Sequence, residues 1–439
     1  MSKKYTLPEG YNFFRSIYRT YKQILDPIGS MMESVRAYNG TYRVHLGTKQ
    51  FIVTRDPGFI DHILRKNHRN YNKSEIQTDS LGRFIGYGLL TSNGDFWLRQ
   101  RRLIQPGFHH ERIGALYSNI DCTVRRFLET FPKGAVDVYP LMNRLAFDIV
   151  MNALFNVEIA DSHREKLGRF VAETQDFVIR DIRQPHKRWW YRLSGEMKKN
   201  LEKSKEARDI IREIILTRKH STQKHGDLLD MLLDARYEDN GEPMPEEQLI
   251  DEILVLIIAG HETTANALSW TLYLLGTHPE WITKLRAATS SLDIQSTVTN
   301  DVVNSVLSES MRLYPPAYVS DRVSLADDSY GAYTYPANTI VILFYYGLHR
   351  DPAHWVNPDS FDPGRFVDGK WKERSKVFLP FGAGPRLCIG NSFALAEMAI
   401  FLKSFVQTFE FAPAASVPHV KALVTLRPDR VLMRITRRD

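Results

Sequence analysis

The chain has few cysteines and no long uninterrupted apolar segment. Only Cys122 and Cys388 occur among its 439 residues, which excludes the disulfide framework that holds many small secreted proteins together. The longest apolar run, residues 253–260, is too short to cross a bilayer and is followed by His261 and Glu262. The N-terminal sequence lacks the apolar stretch of a signal peptide. We therefore expect a cytoplasmic protein without a membrane anchor.

The chain also lacks the features of a nucleic-acid-binding protein, although it is basic. Its formal net charge is +7, and basic clusters occur at RQRR (99–102), HKRWW (186–190) and RITRRD (434–439). No reader motif or basic stripe with interleaved aromatic residues accompanies them. The clusters are therefore interpreted as solvated faces, or as a docking face for an acidic protein partner, since opposite charge accelerates encounter.

Apolar periodicity predicts a mainly helical protein with minor β-structure. Two short strands are predicted within residues 41–54, on either side of a turn at Gly47. Residues 249–276 are apolar on most faces, which is typical of a helix running through a large core. A helix near 299–314, short strands within 318–343 and a final helix after Gly390 follow. No repeat or linker marks a boundary, so residues 1–439 are predicted to form one large unit.

The sequence PFGAGPRLCIG, residues 380–390, contains the chemically most informative cysteine. Gly382 and Gly384 permit tight turns, and an apolar helical pattern begins directly after the segment. The start of that helix and the nearby Arg386 favour the thiolate form of Cys388. No histidine base and no companion zinc ligands lie close in sequence. A lone thiolate suits a metal whose other ligands come from a macrocycle, as in heme, whereas the alternative is an inert buried cysteine.

This segment resembles the cysteine-ligand loop of the cytochrome P450 family, Phe-x-x-Gly-x-Arg-x-Cys-x-Gly, at every specified position. The resemblance implies a P450 fold in which a single large unit encloses heme b. It implies that Cys388 is the axial ligand of the heme iron and that Phe381 packs beside its sulfur. Arg386 is expected to meet a heme propionate. Gly390 is expected to let the final helix lie against the porphyrin.

A second motif, AGHETT at 259–264, lies inside the most apolar helical segment. An unpaired carboxylate would be energetically unfavourable in such a segment. The purely structural alternative is a local kink of the helix, in which Thr263 hydrogen-bonds to the carbonyl four residues earlier. The motif resembles the oxygen-binding groove of the same family. That resemblance implies that Ala259 and Gly260 adjoin the heme. It further implies that Thr263 hydrogen-bonds oxygen and that Glu262 relays protons.

Three further residues match a structural motif of the family. Glu309 and Arg312 are three positions apart and can pair on one helical face. Such a pair is usually a surface contact. Followed by LYPP and later by FDPGRF, it resembles the family's Glu-x-x-Arg motif, whose third member is expected to be Arg365. This trio is expected to stabilise the core rather than to take part in catalysis.

Two more arginines and a tryptophan are expected near the heme. Trp97 and Arg101 are four residues apart and share a helix face, and the family often places such a pair against the propionates. Arg322 is expected either to do the same or to form a surface ion pair. Cys122 lies in an amphipathic segment and is expected to be part of the core.

The resemblance implies a monooxygenase that inserts one atom of O2 into a substrate C–H bond and reduces the other to water. Residues 1–439 are expected to form the heme domain, with no fused reductase domain. Electrons are expected to come from NAD(P)H through separate proteins, either a ferredoxin and its reductase or a flavodoxin-type donor. A monomer is expected.

The substrate is the least determined part of the function. The motifs are similar to those of the fatty-acid-hydroxylating branches, which favours a fatty acid or another lipophile. Residues 176–193 and 72–88 are nevertheless rich in charged and polar groups. They leave open the O-demethylation of a small polar methoxylated substrate, such as a methylated sugar. A non-catalytic heme-based ligand sensor is a further alternative. The residues expected to face the substrate are Tyr87, Leu89, Leu90, Tyr318, Val319 and Val424.

Overall fold

The structure is a computed structural model that describes residues 4–46, 49–157, 160–367, 374–414 and 417–438. About 59% of the chain is helical, and short strands make up a minor part. This confirms the prediction of a mainly α-helical protein with minor β-structure. The predicted turn at Gly47 lies outside the described residues.

The chain forms two compact units, and each is assembled from two separate segments. The first unit contains residues 1–74 and 308–388, and the second contains residues 75–307 and 389–439. Because each unit joins distant parts of the chain, no local change in composition marks their boundary. The prediction of a single heme domain over residues 1–439 stays a prediction.

The first unit is built on a five-stranded sheet. Its strand order is Thr41–Leu46, Lys49–Thr54, Ile340–Leu343, Ser320–Ser324 and Tyr71–Asn72. The second and third of these strands pair in parallel, and the other pairings are antiparallel. The strand Ile340–Leu343 consists of β-branched residues and leucine, which suits a central position between two neighbours.

Short helices and a small hairpin complete the first unit. Residues of the sheet, including Ile52 and Val341, pack with Phe59 and Ile63 of the helical turns that follow the second strand. The hairpin consists of Asp328–Tyr330 and Tyr333–Tyr335. The helices are Phe13–Leu25, Pro27–Ala37, Pro57–Asp61, His62–Lys66, His68–Asn70, Tyr345–Leu348, Pro363–Arg365 and Gly384–Arg386.

The second unit is organised around one long helix, Glu246–Gly276, which we call the central helix. It has 31 residues, and the sequence analysis predicted nearly all of it. The helix Val138–Ile149 packs closely along it. Every residue from Leu249 to Leu272 is buried except those at positions 258, 259, 260 and 263. This part of the helix is therefore enclosed on all sides but for one short patch.

The remaining elements of the second unit surround the central helix. Its strands are Gly134–Asp137, Phe409–Pro413 and Leu432–Arg437 in one sheet and Val420–Ala422 and Leu426–Pro428 in a hairpin. The helix Asp301–Leu313 contains the boundary between the residues of the two units. The other helices are Ile76–Leu81, Gly82–Ile85, Gly94–Ile104, Gln105–Phe108, His110–Ala115, Tyr117–Glu129, Val150–Leu154, Asp161–Arg183, Pro185–Lys187, Arg188–Leu193, Glu196–His220, Leu228–Asp234, Pro279–Thr289, Ile294–Val298 and Asn391–Thr408. Within the described ranges, no helix combines the length and apolarity needed to span a membrane.

Candidate active site

The segment 380–390, which we call the cysteine loop, is a series of tight turns. Gly382 and Gly384 have φ values of +72° and +69°, a region that favours glycine. A Cβ added at Gly384 would overlap the carbonyl oxygen of Leu64, so only glycine fits at that position. The amide of Cys388 donates a 3.0 Å hydrogen bond to the carbonyl of Phe381. The backbone therefore holds the cysteine and Phe381 at a fixed separation within the first unit.

Cys388 is exposed, although cysteine is among the residue types most often found buried. It lies two residues before Gly390, the N-cap of the helix Asn391–Thr408. No group of three or more His, Cys, Asp or Glu side chains that could hold a metal occurs in the part of the chain that the structure describes. A metal bound by Cys388 would therefore need its other ligands from a prosthetic group, and heme meets this requirement.

Two guanidinium groups of the first unit, those of Arg322 and Arg386, lie close enough for the charge of Arg322 to act on Arg386. Burial, and secondarily the charge of Arg322, lowers the pKa of Arg386 to about 10. Arg386 donates a 3.4 Å hydrogen bond to the side chain of Asn72, and Arg322 donates to Ser320 and to the carbonyl of Asp321. Two neighbouring cations, the buried Arg322 and the half-buried Arg386, favour an anionic group between them. The carboxylates of a heme fit this requirement.

Glu309, Arg312 and Arg365 meet in the interior of the first unit. Arg312 forms two 2.7 Å hydrogen bonds to the carboxylate of Glu309, and Nε of Arg365 lies 3.3 Å from the same carboxylate. The side chains of Glu309 and Arg312 are completely buried. The remaining guanidinium N–H groups of the two arginines donate to the carbonyls of His349, Val356, Asn357, Pro358 and Ser360. The trio thus fixes the course of segment 349–365.

In the second unit, the open patch of the central helix consists of Ile258, Ala259, Gly260 and Thr263, all half-buried. Positions 259 and 263 are one turn apart, so they lie on the same face. The hydroxyl of Thr263 donates a 2.7 Å hydrogen bond to the carbonyl of Ala259. A Cβ added at Gly260 would lie 3.1 Å from Val150, so the glycine accommodates the adjacent helix Val150–Leu154. The patch offers an apolar surface with one hydroxyl.

Glu262 is buried beside this patch, and its carboxylate has two hydrogen-bond donors. Thr425 donates to Oε1 over 2.7 Å, and the amide of Gln175 donates to Oε2. Burial raises the pKa of Glu262 to about 7; the Thr425 hydroxyl and the charge of Arg427 act in the opposite direction. At this pKa, the carboxyl group can both take up and release a proton near neutral pH.

The groups around Glu262 extend towards the surface of the second unit. Asn266 donates to the hydroxyl of Thr425 over 3.0 Å. Arg427 lies 3.5 Å from the half-exposed carboxylate of Asp176. The adjacent His261 is neutral, because burial lowers its pKa to about 4. Of the groups whose charges act on Glu262, Asp176 reaches the surface, whereas Asn266 is completely buried.

Trp97 and Arg101 lie on the helix Gly94–Ile104, one turn apart, as their spacing predicts. Trp97 is buried, and Arg101 donates a 3.2 Å hydrogen bond to Gln105. A Cβ added at Gly390 would lie 3.8 Å from Phe108, an ordinary contact. Cys122 is exposed on the helix Tyr117–Glu129, so its expected place in the core was wrong. It falls on the polar face of that helix.

The residues expected to face the substrate differ in exposure. Tyr87 is exposed, and Leu89 and Tyr318 are buried. Half-buried positions are Leu90, Val319 and Val424. Two carboxylates of the central helix hold the segment that carries Tyr87, Leu89 and Leu90. Asp251 accepts from the amide of Tyr87 and Glu252 from the amide of Leu89, both over 2.8 Å.

Three neighbours of Glu262 were not predicted from the sequence: Gln175, Thr425 and Arg427. They lie on the helix Asp161–Arg183 and in or next to the hairpin at Val420–Pro428, far from Glu262 along the chain. The only available signal was the expectation that a buried carboxylate must find donors. That expectation does not identify which residues supply them.

Comparison with known structures first defines the class of fold. The chain resembles the solved structure "Crystal structure of cytochrome P450DA heme domain" with a TM-score of 0.83 and 23% identity, covering 94% of this chain and 93% of the other. At this identity the likeness shows the fold, which is that of a P450 heme domain.

Comparison of sequences then gives the family. The profile of the family described as Cytochrome P450 matches residues 13–434. "Protein LUTEIN DEFICIENT 5, chloroplastic" of Arabidopsis thaliana is 30% identical, covering 89% of this chain and 70% of that protein. "Cyclooctat-9-en-7-ol 5-monooxygenase" of Streptomyces melanosporofaciens is 28% identical, covering 87% and 84%. The chain therefore belongs to the cytochrome P450 family and is a P450 monooxygenase, an oxidoreductase. Membership implies heme, O2 and electrons from redox partners.

Proposed function

We propose that the protein hydroxylates a lipophilic substrate, such as a fatty acid, by inserting one oxygen atom from O2 into a C–H bond. The other oxygen atom becomes water, with two electrons and two protons supplied. The electrons originate from NAD(P)H and arrive through a ferredoxin and its reductase, or through a flavodoxin-type donor. The enzyme acts as a cytoplasmic monomer.

The cysteine loop carries the heme assignment. In the proposal, the thiolate of Cys388 would hold the iron of heme b, Phe381 would pack beside the sulfur, and Gly390 would leave room for the porphyrin. The exposed thiol in a loop of tight turns supports this role, as does the absence of any group of three or more metal-ligating side chains among the described residues. When bound, the heme supplies the oxygen-activating chemistry.

Cationic side chains hold the propionates in this proposal. The effect of the Arg322 charge on Arg386 supports such a role for both, because an anion would relieve the repulsion between the two cations. Trp97 and Arg101 are assigned to the same task. Glu309, Arg312 and Arg365 have a structural role, since the carboxylate and both guanidinium groups are engaged with one another and with backbone carbonyls.

Glu262 and Thr263 deliver protons in the proposal. Glu262 holds a proton at its buried carboxyl group and passes it towards the hydroxyl of Thr263. Its pKa of about 7 supports this role, because both protonation states are populated near neutral pH. In the structure, the hydroxyl of Thr263 donates its only hydrogen bond to the carbonyl of Ala259. To take part in proton delivery, this hydroxyl must therefore rotate or accept a proton. Ala259 and Gly260 shape the space beside it.

The choice of a lipophile rests on one observation, the apolar patch at Ile258, Ala259 and Gly260. Two of the charges in segment 176–193 that left a polar substrate open have partners within the protein: Arg188 pairs with Asp181 at 2.9 Å, and Arg180 with Glu196 at 3.3 Å. The name of the Streptomyces relative denotes a largely hydrocarbon alkenol, which agrees with this choice. Tyr87, Leu89, Leu90, Tyr318, Val319 and Val424 are assigned to the substrate.

Two measurements test the proposal. Reduced protein exposed to carbon monoxide should give the red-shifted Soret band of a thiolate-ligated heme, lost in Cys388→Ala and retained in the matched control Cys122→Ala. A spectral-shift screen of the oxidised protein should then show a spin-state change with fatty acids or terpenoids. A response to methoxylated sugars alone would favour O-demethylation over hydroxylation as the reaction of this protein. Binding without O2 and NAD(P)H consumption, with surrogate redox partners present, would indicate a sensor.

A further inference from the structure

A buried arginine lies where the two parallel strands of the first unit end. The strands Lys49–Thr54 and Ile340–Leu343 pair in parallel up to their last residues. Arg55 follows the first strand directly, and Phe344 follows the second. Because the carboxyl ends of neighbouring parallel strands meet at one edge of a sheet, the residues that follow them can build a site together.

The guanidinium group of Arg55 is buried without enough hydrogen bonds. The residue is 9% exposed, yet neither Nε nor Nη1 donates to an acceptor in the part of the chain that the structure describes. Nε lies 3.1 Å from Oδ2 of Asp351, but this ion pair lacks hydrogen-bond geometry. Buried polar groups in native proteins nearly always have a partner, and a buried charge needs one most. Arg55 therefore requires an acceptor that the described residues do not supply.

The exposed Arg36 adds a second positive charge at this corner. It lies in the last turn of the helix Pro27–Ala37. The amide of Arg55 donates a 2.8 Å hydrogen bond to the carbonyl of Gly40, just after the end of that helix. Burial lowers the pKa of Arg55; the charge of Asp351 opposes this, and the charge of Arg36 adds to it. Two cations therefore lie beside one carboxylate.

A second buried guanidinium group borders the same corner. Arg350 is 7% exposed, and its Nη1 also has no acceptor among the described residues. It stacks on Tyr346, with 3.8 Å between the guanidinium carbon and the ring centroid. Burial raises the pKa of Tyr346, which the nearby charges of Arg350 and Arg36 oppose. Arg36 is therefore close to both Arg55 and the tyrosine on which Arg350 packs.

The other carboxylates of this region are already engaged. Asp26 is the N-cap of the helix Pro27–Ala37 and accepts a 2.9 Å hydrogen bond from the amide of Gly29. The exposed carboxylate of Asp359 lies 3.3 Å from Nε of Arg350. Neither of them reaches Nη1 of the two buried guanidinium groups. These N–H groups are left for an acceptor from outside the chain.

We propose that Arg36 and Arg55, bordered by Arg350, bind a phosphate group, which is either inorganic phosphate or part of a small phosphate monoester. We call this corner the phosphate site. Guanidinium groups bind phosphate through charge-assisted hydrogen bonds. A phosphate carries more negative charge than a carboxylate, which suits a place where several cations meet. The site involves no residue assigned to heme or substrate, so it does not depend on the proposed function.

Calorimetric titration of the holoprotein with inorganic phosphate tests this site. In a chloride buffer of constant ionic strength, phosphate should bind to one site and raise the melting temperature to a plateau, because a ligand of the folded state stabilises it. Acetate at the same ionic strength should do neither. Glycerol 3-phosphate should compete with phosphate. Tighter binding of this monoester would identify a phosphorylated small molecule as the ligand, and weaker binding would identify free phosphate.

Two variants and a matched control locate the binding. Arg55→Gln should weaken the binding of phosphate at least about tenfold, because hydrogen bonds from a buried charge are lost. Arg36→Gln changes only an exposed residue and should weaken it about two- to fivefold. The control Arg69→Gln removes another exposed arginine of the first unit and should bind as the wild type does. The carbon monoxide band should be the same in all of them.

Crystals of the wild type soaked in tungstate, a heavy analogue of phosphate, should show the anion within hydrogen-bond distance of Nη1 of Arg55. Ordered water alone at this position would refute the phosphate site. So would a melting temperature that depends only on ionic strength, or equal affinities of Arg36→Gln and Arg69→Gln for phosphate. Acetate that binds as tightly as phosphate would likewise contradict the assignment to a phosphate group.

Discussion

The hydrogen bond from Thr425 to Glu262 should set the protonation of this carboxyl group, and replacing Thr425 by valine should raise the pKa of Glu262. The hydroxyl donates to Oε1 over 2.7 Å and favours the ionised form. Valine has nearly the same shape but cannot donate. The amide of Gln175 remains as a donor to the other oxygen.

The size of this effect follows from the environment of Glu262. A hydrogen bond to a charged group contributes about 1.5–3 kcal/mol, and one pKa unit corresponds to about 1.4 kcal/mol. The pKa of Glu262 should therefore rise by about one to two units from its value of about 7. At neutral pH the ionised fraction should fall from about one half to about a tenth or less.

Infrared difference spectroscopy of the holoprotein measures this pKa directly. The C=O stretch of the protonated Glu262 carboxyl is identified by its absence in Glu262→Gln and is followed across neutral pH. Thr425→Ser keeps the hydroxyl and should titrate as the wild type does. Asp176→Asn removes a negative charge that raises the pKa, so its midpoint should move downward. A Thr425→Val midpoint equal to or below that of the wild type would refute the reasoning.

Three other outcomes are expected. Thr263→Ala should retain the carbon monoxide band but divert electrons to hydrogen peroxide, measured as peroxide formed per NAD(P)H consumed; unchanged coupling to product would contradict the role of its hydroxyl. Because burial raises the pKa of Glu262 from 4.5 to about 7, its stabilising contribution is complete below about pH 4.5 and declines by about 3 kcal/mol as the pH rises to 7. The melting temperature of the wild type should therefore fall relative to that of Glu262→Gln over this interval, and parallel curves would exclude the shift. Arg312→Leu should lower the free energy of unfolding by about 3–5 kcal/mol, because it removes the guanidinium group that pairs with the completely buried carboxylate of Glu309. Arg312→Lys should not restore the yield of folded protein, since an ammonium group cannot replace the two-pronged contact.

The sequence predicted the helices and motifs whose partners are close along the chain. The apolar segment 249–276 became the central helix, Glu246–Gly276, with three more residues after Pro245 at its start. Glu309 and Arg312 pair because they are one turn apart on the helix Asp301–Leu313. Both predictions depended on helical periodicity, which is a local property.

Predictions that depended on distant parts of the chain were incomplete. The donors to Glu262 come from residues 175 and 425, and helical spacing says nothing about either of them. Cys122 was assigned to the core because it lies in an amphipathic segment, but it is on the exposed face of its helix. The two compact units are both discontinuous along the chain, so local composition does not reveal them. Which distant residues meet is a consequence of the packed fold and not of local pattern.

The contacts of Arg312 and Arg365 in the first unit restrict where the length of the chain can vary. Arg312 and Arg365 together donate hydrogen bonds to five backbone carbonyls between residues 349 and 360. These two side chains therefore fix the length of that stretch. An inserted or deleted residue there would pull at least one carbonyl away from a buried cation. Length variation should instead be tolerated in exposed turns such as residues 221–225, which makes those turns the better places to attach a tag or a tethered electron donor.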